Sequence, residues 1–182
     1  MSRKGQIVEI PAGSPVYKKP KPEFSSKKEE LVWLLHKDDY SLFDGFLIGE
    51  HVGTEHFQLG QRKGINAGGK KQPLYVIGID DSENRIFVGA GLSHPGLFAE
   101  VFLFSEHHFH WNGETNIGKS LLEEGISVEI SSTLFEEMLS AMLYIFDGEV
   151  FLKFRNPVSI TIQNDPITIF YQNKETANIF NK

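Results

Sequence analysis

The stretch LGQRKGINAGGKK, residues 59 to 71, gathers Gly60, Gly64, Gly68 and Gly69 together with Arg62, Lys63, Lys70 and Lys71. These residue types suit the holding of phosphate. Glycine lets backbone N–H groups come close to a phosphate, Arg and Lys add charge-assisted contacts to its oxygens, and Gln61 could hydrogen-bond a base or sugar edge. The stretch offers a core almost nothing apolar, so the expected binding set is Gln61, Arg62, Lys63, Gly64, Lys70 and Lys71. A surface loop with solubilising lysines would have the same composition.

Other chemistries find little support. The chain contains no GxSxG, HExxH or GxGxxG signature, and these are among the usual marks of nucleophile, zinc and dinucleotide sites. It has no cysteine, which removes disulfides, thiolate metal sites and cysteine nucleophiles. His107, His108 and His110 stand close together in HHFHW. On a strand, however, His108 and His110 would share one face and His107 the other, so the run gives at most two ligands to one ion. No catalytic residue, metal site or cofactor is expected.

Charge is uneven along the chain. Residues 1 to 71 carry 12 Lys and Arg against 9 Asp and Glu, a balance of +3, whereas residues 72 to 182 carry 6 against 15, a balance of −9. A polyanion would meet the first part, because attraction to phosphate follows local charge. No apolar run reaches the roughly 18 to 20 residues that span a bilayer, and MSRKGQIVEIPAG lacks the apolar stretch of a signal peptide. The expected compartment is the cytoplasm.

The elements that must position these residues are mostly strands. QIVEI, residues 6 to 10, alternates at period two, and PAGSPVYKKPKPEF then breaks regular structure with four prolines. Ser25 or Ser26 offers an N-cap to KKEELVWLLHKDD, with Glu29 placed for a capping box and Leu31, Leu34 and Leu35 on one face. PLYVIGIDDSENRIFVGAG reads as a hairpin turning at DDSEN, and Asp147-Gly148 marks another turn. Val101 to Phe104, VFLF, is too continuous for a one-sided strand and should be buried on both faces or cross between units. SSTLFEEMLSAM is read as strand and turn rather than helix. The short, regularly spaced strands after Gly125 suggest a small closed barrel, since closure removes exposed edges. A boundary is expected within residues 112 to 120.

In order, the residues from Gly49 to Gly91, GEHVGTEHFQLGQRKGINAGGKKQPLYVIGIDDSENRIFVGAG, followed by HPGLF, form a more specific pattern. It resembles the central domain of the bacterial tRNA-specific 2-thiouridylases, also labelled a tRNA methyltransferase family. Their pattern runs G-x-H-x-G, then L-G-Q-R-K-G-L-G-I-G-G, a Y-V-V-G-x-D strand and a V-G-x-G ending. FHWNG and DGEVFLKFRNPVSITIQNDPITIFYQNKE extend the likeness more weakly into the C-terminal barrel of that family. The resemblance implies a mainly β protein, with an SH3-like β roll over residues 1 to 111, a translation-factor-type β-barrel over 120 to 182, and one short helix in an insertion at about 11 to 44.

Family members also carry an α/β domain with an S-G-G-x-D-S loop for ATP and two catalytic cysteines. This chain starts almost where that domain would have ended. The resemblance therefore implies a non-catalytic tRNA-binding or accessory module that works with a separate ATP-dependent thiolation chain, with Lys18, Lys19 and Lys21 as a flexible supplement. Departures point the other way. Glu129, Ser131 and Thr133 stand where the family's barrel strand is basic, and Asp165-Pro166 replaces its G-Q. A protein-interaction scaffold that has lost RNA binding is the competing expectation, with Trp33 on the inserted helix as a contact.

Overall fold

The computed structural model describes residues 4–65, 67–69, 71–113 and 117–180. The chain is mainly β and forms two compact units. The first comprises Met1–Pro22 and His36–Phe98, the second Glu23–Leu35 and Ala99–Lys182. The division falls at Phe98/Ala99, ahead of the expected 112 to 120. That later stretch instead leads into a second short helix that the sequence reading did not foresee, α2 (Lys119–Glu124).

The first unit is a four-stranded sheet built from β1 (Gly5–Glu9), β2 (Phe46–His51), β3 (Leu74–Asp80) and β4 (Arg85–Ala90), in the order β2-β1-β4-β3. β1 runs antiparallel to β2 and parallel to β4. GQIVE does not keep strict alternation: the neighbours Ile7 and Val8 are both fully buried, on either side of a register shift in the pairing with β2, and Ile7 joins Val76, Ile86 and Val88. The β3–β4 hairpin turns at the expected place. There Asp80 Oδ1 accepts from Ser82 Oγ at 2.6 Å and Glu83 N–H at 3.1 Å, and Asn84 takes a positive φ of 54°.

Two segments of the inserted stretch, 11–22 and 36–44, belong to this unit. Tyr17 Oη donates to Tyr40 Oη at 2.9 Å, and Tyr40 packs on Phe87 with ring centroids 5.4 Å apart. His94, only 2% exposed, fastens the turn after β4: its Nε2–H donates to Ile10 O at 2.9 Å and its Nδ1 accepts from Gly96 N–H at 3.2 Å. Burial holds its pKa below the ordinary imidazole value, against the opposing pull of the Ile10 carbonyl and Glu9.

The second unit holds β5 (Phe98–Ser105), β6 (Phe109–Trp111), β7 (Ile126–Ser132), β8 (Leu139–Phe146), β9 (Glu149–Ser159), β10 (Ile167–Tyr171) and β11 (Lys174–Ile179). Their order is β5-β9-β8-β7-β10-β11-β6. The two strands that end this sheet, β5 and β6, are consecutive in the chain and separated only by a 3-10 turn at Glu106–His108. Covalent continuity thus brings the ends of the sheet together and curls it toward a barrel. Inside lie Phe102, Phe104, Val128, Ile130, Leu143, Leu152, Ile167 and Ile179.

Asp147 (φ 47°) and Gly148 (φ 85°) make the expected β8–β9 turn, and Gln172 and Asn173, also at positive φ, close β10–β11. The segment between β7 and β8 is turn and strand, as the sequence reading has it. Asp165, in the turn before β10, accepts from Ser132 Oγ, Thr133 N–H and Thr133 Oγ1.

Helix α1 (Lys27–His36) lies in this second unit although its flanks belong to the first. Ser26 Oγ accepts from Glu29 N–H at 3.1 Å, and the Glu29 carboxylate reaches back one residue further than expected, to Ser25 N–H at 2.8 Å. Leu31, fully buried, packs with Val101, Tyr144 and Phe151, and Leu34 adds to them. Lys28 pairs with Glu149 at 2.6 Å and Lys153 with Glu30 at 3.2 Å. The helix explains VFLF: Phe102 and Phe104 face the barrel interior, Val101 faces the helix, and Leu103 emerges at 36% exposure.

Candidate nucleic-acid interface

The basic loop leaves β2 through a 3-10 turn at Thr54–His56 and returns at β3. Its root is fixed in three ways. Phe57 packs edge-on to the His51 ring at 5.3 Å, while His51 Nδ1 accepts from Gly53 N–H at 3.1 Å. Gly60 N–H donates to Val76 O at 2.7 Å and Val76 N–H to Gln61 O at 2.9 Å, so the loop starts as a short pairing along β3. Leu59, Ile65 and Ala67 pack against the core of the first unit. These are the few apolar side chains of a stretch expected to offer a core almost nothing. Three small apolar contacts pin it, and they were hidden among glycines and cations.

Gln61 turns inward. Its Oε1 accepts from Gln58 N–H at 2.9 Å, and its Nε2 donates to Lys63 O at 2.8 Å and His56 O at 3.3 Å. An amide making three bonds to its own loop shapes the loop rather than offering itself to a base edge. Gly60, Gly64 and Gly69 all sit at φ near +80°, the region where a side chain is strained, and Gly64 lies at the turn that Gln61 staples.

Arg62 and Lys71 stand on the lining of an open cleft of about 420 Å³, with Ile65, Ala67, Gly69, Gln72, Pro73 and Leu74 completing it. No carboxylate is among these residues. Arg62, Lys63 and Lys71 are exposed and make no ion pair with a described carboxylate. Lys4, Lys27, Lys28, Arg85, Lys119 and Lys153 are each engaged by one. Lys63 does not line the cleft, and Lys70 lies outside the described residues.

Sequence reasoning missed Gln72. A Cβ on Gly91, at φ 86°, would come within 2.5 Å of Gln72 Oε1, so the final glycine of VGAG is matched to the end of the basic loop. None of Lys18, Lys19 and Lys21 lines the cleft. His107 and His108 sit in the 3-10 turn and only His110 on β6, so strand alternation does not apply to the trio. Among the described residues no three His, Asp or Glu side chains are grouped to hold a metal ion. Among the described residues no helix is long and apolar enough to cross a membrane.

The first unit thus carries a pinned, glycine-rich loop whose described cations, Arg62, Lys63 and Lys71, pair with no described carboxylate. Residues 38–90, the span from α1's end through β4, match the family described as the tRNA methyl transferase PRC-barrel domain. Over nearly its whole length the chain is similar to tRNA-specific 2-thiouridylase MnmA of Christiangramia forsetii, at 32% identity across 96% of this chain and 43% of that protein. The MnmA proteins of Karelsulcia muelleri (32%, covering 95% and 42%) and Flavobacterium johnsoniae (30%, covering 94% and 43%) are similar in the same way. Over nearly its whole length the chain is thus similar to the tRNA-specific 2-thiouridylases, and it spans less than half the length of the curated relatives it matches.

Proposed function

We propose that the chain is a non-catalytic tRNA-binding or accessory module for tRNA uridine thiolation in the cytoplasm, acting with a separate ATP-dependent chain. The observation that carries this reading is the set of unpaired cations, Arg62, Lys63 and Lys71, on a loop stapled by Gln61 around a cleft without a carboxylate. Lys70 belongs to the same set by its place in the sequence. The 182 residues hold no cysteine and supply no thiolate, and this reading assigns that chemistry to the partner.

Fluorescence anisotropy of labelled bulk tRNA over a salt series tests the reading. Three phosphate contacts give a slope of log K against log salt of about −2 to −3. The double substitution Arg62→Glu and Lys63→Glu abolishes binding. Salt-indifferent binding, or none at low salt, sinks the proposal.

A second reading, a protein-interaction scaffold, is favoured by β7. There Glu129 accepts from Ser140 Oγ at 2.8 Å, and among the described residues no ion pair involves the strand. A partner retained after nuclease treatment, with no tRNA binding, would select it.

A further inference from the structure

Two side-chain amides flank the basic loop, and the fold uses them differently. Gln61, near its start, commits its amide to three bonds with the loop's own backbone. Gln72, at its end, is exposed, lies against the bare backbone of Gly91 and makes no side-chain hydrogen bond among the described residues. It lines the cleft, where Arg62 and Lys71 are the charged groups and Ile65, Ala67 and Pro73 supply carbon surface. Ile65 and Ala67 are half-buried and Pro73 is exposed, so each retains accessible surface.

This set is richer than a phosphate site needs. A phosphate uses cations and N–H donors, and carbon surface beside it adds nothing. A nucleotide uses all three kinds of group: its anion needs the cations, its flat face needs carbon, and its edge of donors and acceptors matches an amide, which offers both. The cleft's volume of about 420 Å³ lies within the roughly 300 to 1,000 Å³ of clefts that enclose one small ligand. A base inside a duplex is stacked on both faces and occupied at its pairing edge, so only an unpaired base reaches such a cleft.

We infer that the cleft seats one unpaired nucleotide of the RNA, with its phosphate on Arg62 and Lys71, its base against Ile65, Ala67 and Pro73, and the edge of that base on the Gln72 amide. The inference rests on the tRNA-binding reading and adds to it a preference for single-stranded over paired RNA. Charge works against that preference, because a duplex presents denser phosphate than a single strand. The base contacts must therefore outweigh it.

Anisotropy with a labelled single-stranded oligoribonucleotide and a labelled RNA duplex of equal phosphate number tests this. The single strand binds more tightly, and Gln72→Ala weakens its binding by roughly 2- to 10-fold, the range of one lost hydrogen bond. Gln72 is exposed, so the variant keeps the thermal transition of the parent. The NMR signal of the Gln72 side-chain amide gives a second readout, titrated with the common nucleoside monophosphates and with inorganic phosphate. At least one nucleotide shifts it, and phosphate at the same concentration does not. Salt-dependent tRNA binding combined with equal or tighter duplex binding would overturn the inference and leave the tRNA-binding reading standing. So would a Gln72→Ala variant that binds the single strand like the parent, or an amide signal that phosphate moves as far as any nucleotide. Absence of tRNA binding would overturn both.

Discussion

Gln61→Ala separates loop shaping from RNA contact. The parent side chain makes bonds of 2.8, 2.9 and 3.3 Å to the loop backbone. The groups left behind, Gln58 N–H and Lys63 O, belong to exposed residues where water can replace the amide. Each good bond then costs about 0.5 to 1 kcal/mol, and the loop loses about 1 to 2 kcal/mol in all. In the regime where opening equilibrates faster than cleavage, that is roughly a 5- to 30-fold rise in the open population. Limited trypsin digestion of the free protein reads it directly, because Arg62 and Lys63 are themselves the cleavage sites. Cleavage at these two positions, followed by mass spectrometry, should accelerate by that factor while cleavage after Lys174, the first residue of β11, stays constant. An unchanged rate at Arg62 and Lys63 would refute the stapling role, with or without RNA.

Two further outcomes follow from burial. Leu31→Ala removes a fully buried side chain between α1 and the outer face of the barrel, and should cost the second unit about 2 to 5 kcal/mol in urea unfolding. A loss below about 0.5 kcal/mol, the range of a surface substitution, would mean the helix is not docked. His94, with its pKa held below 6.5 by burial, stays neutral in the folded state where the unfolded chain takes up a proton. The first unit therefore loses stability as pH falls below 6.5, by up to about 1.4 kcal/mol per pH unit until the folded value is reached. An NMR titration of the His94 ring with a midpoint at or above 6.5 would reverse the sign.

What could be read from the sequence was decided within a few residues of chain. Asp147-Gly148 and DDSEN declared their turns because positive φ needs particular side chains, and Ser26 with Glu29 announced the start of α1. The basic loop was legible as composition, since glycines and cations cannot form a core. The direction of the Gln61 amide was not, because reaching its own backbone and reaching a base demand the same residue. The landing place of α1 was hidden as well. Leu31 and Leu34 signal an apolar face but not which surface receives it, and Tyr144 and Phe151 lie far along the chain. Leu59, Ile65 and Ala67 escaped notice because three small contacts spread over nine residues carry no period.

The distance between α1 and its partners also sets an order of events during synthesis. Glu30 and Lys153 are 123 residues apart, and at roughly 5 to 20 residues per second the ribosome needs about 6 to 25 s to deliver the second after the first. A ten-residue helix is marginal in water on its own. The nascent chain therefore completes β1 to β4 while the α1 segment waits unfolded with Leu31 exposed, and the first helix to be translated is among the last elements to settle. A chaperone that protects this protein would meet it in that interval, at residues 27 to 36.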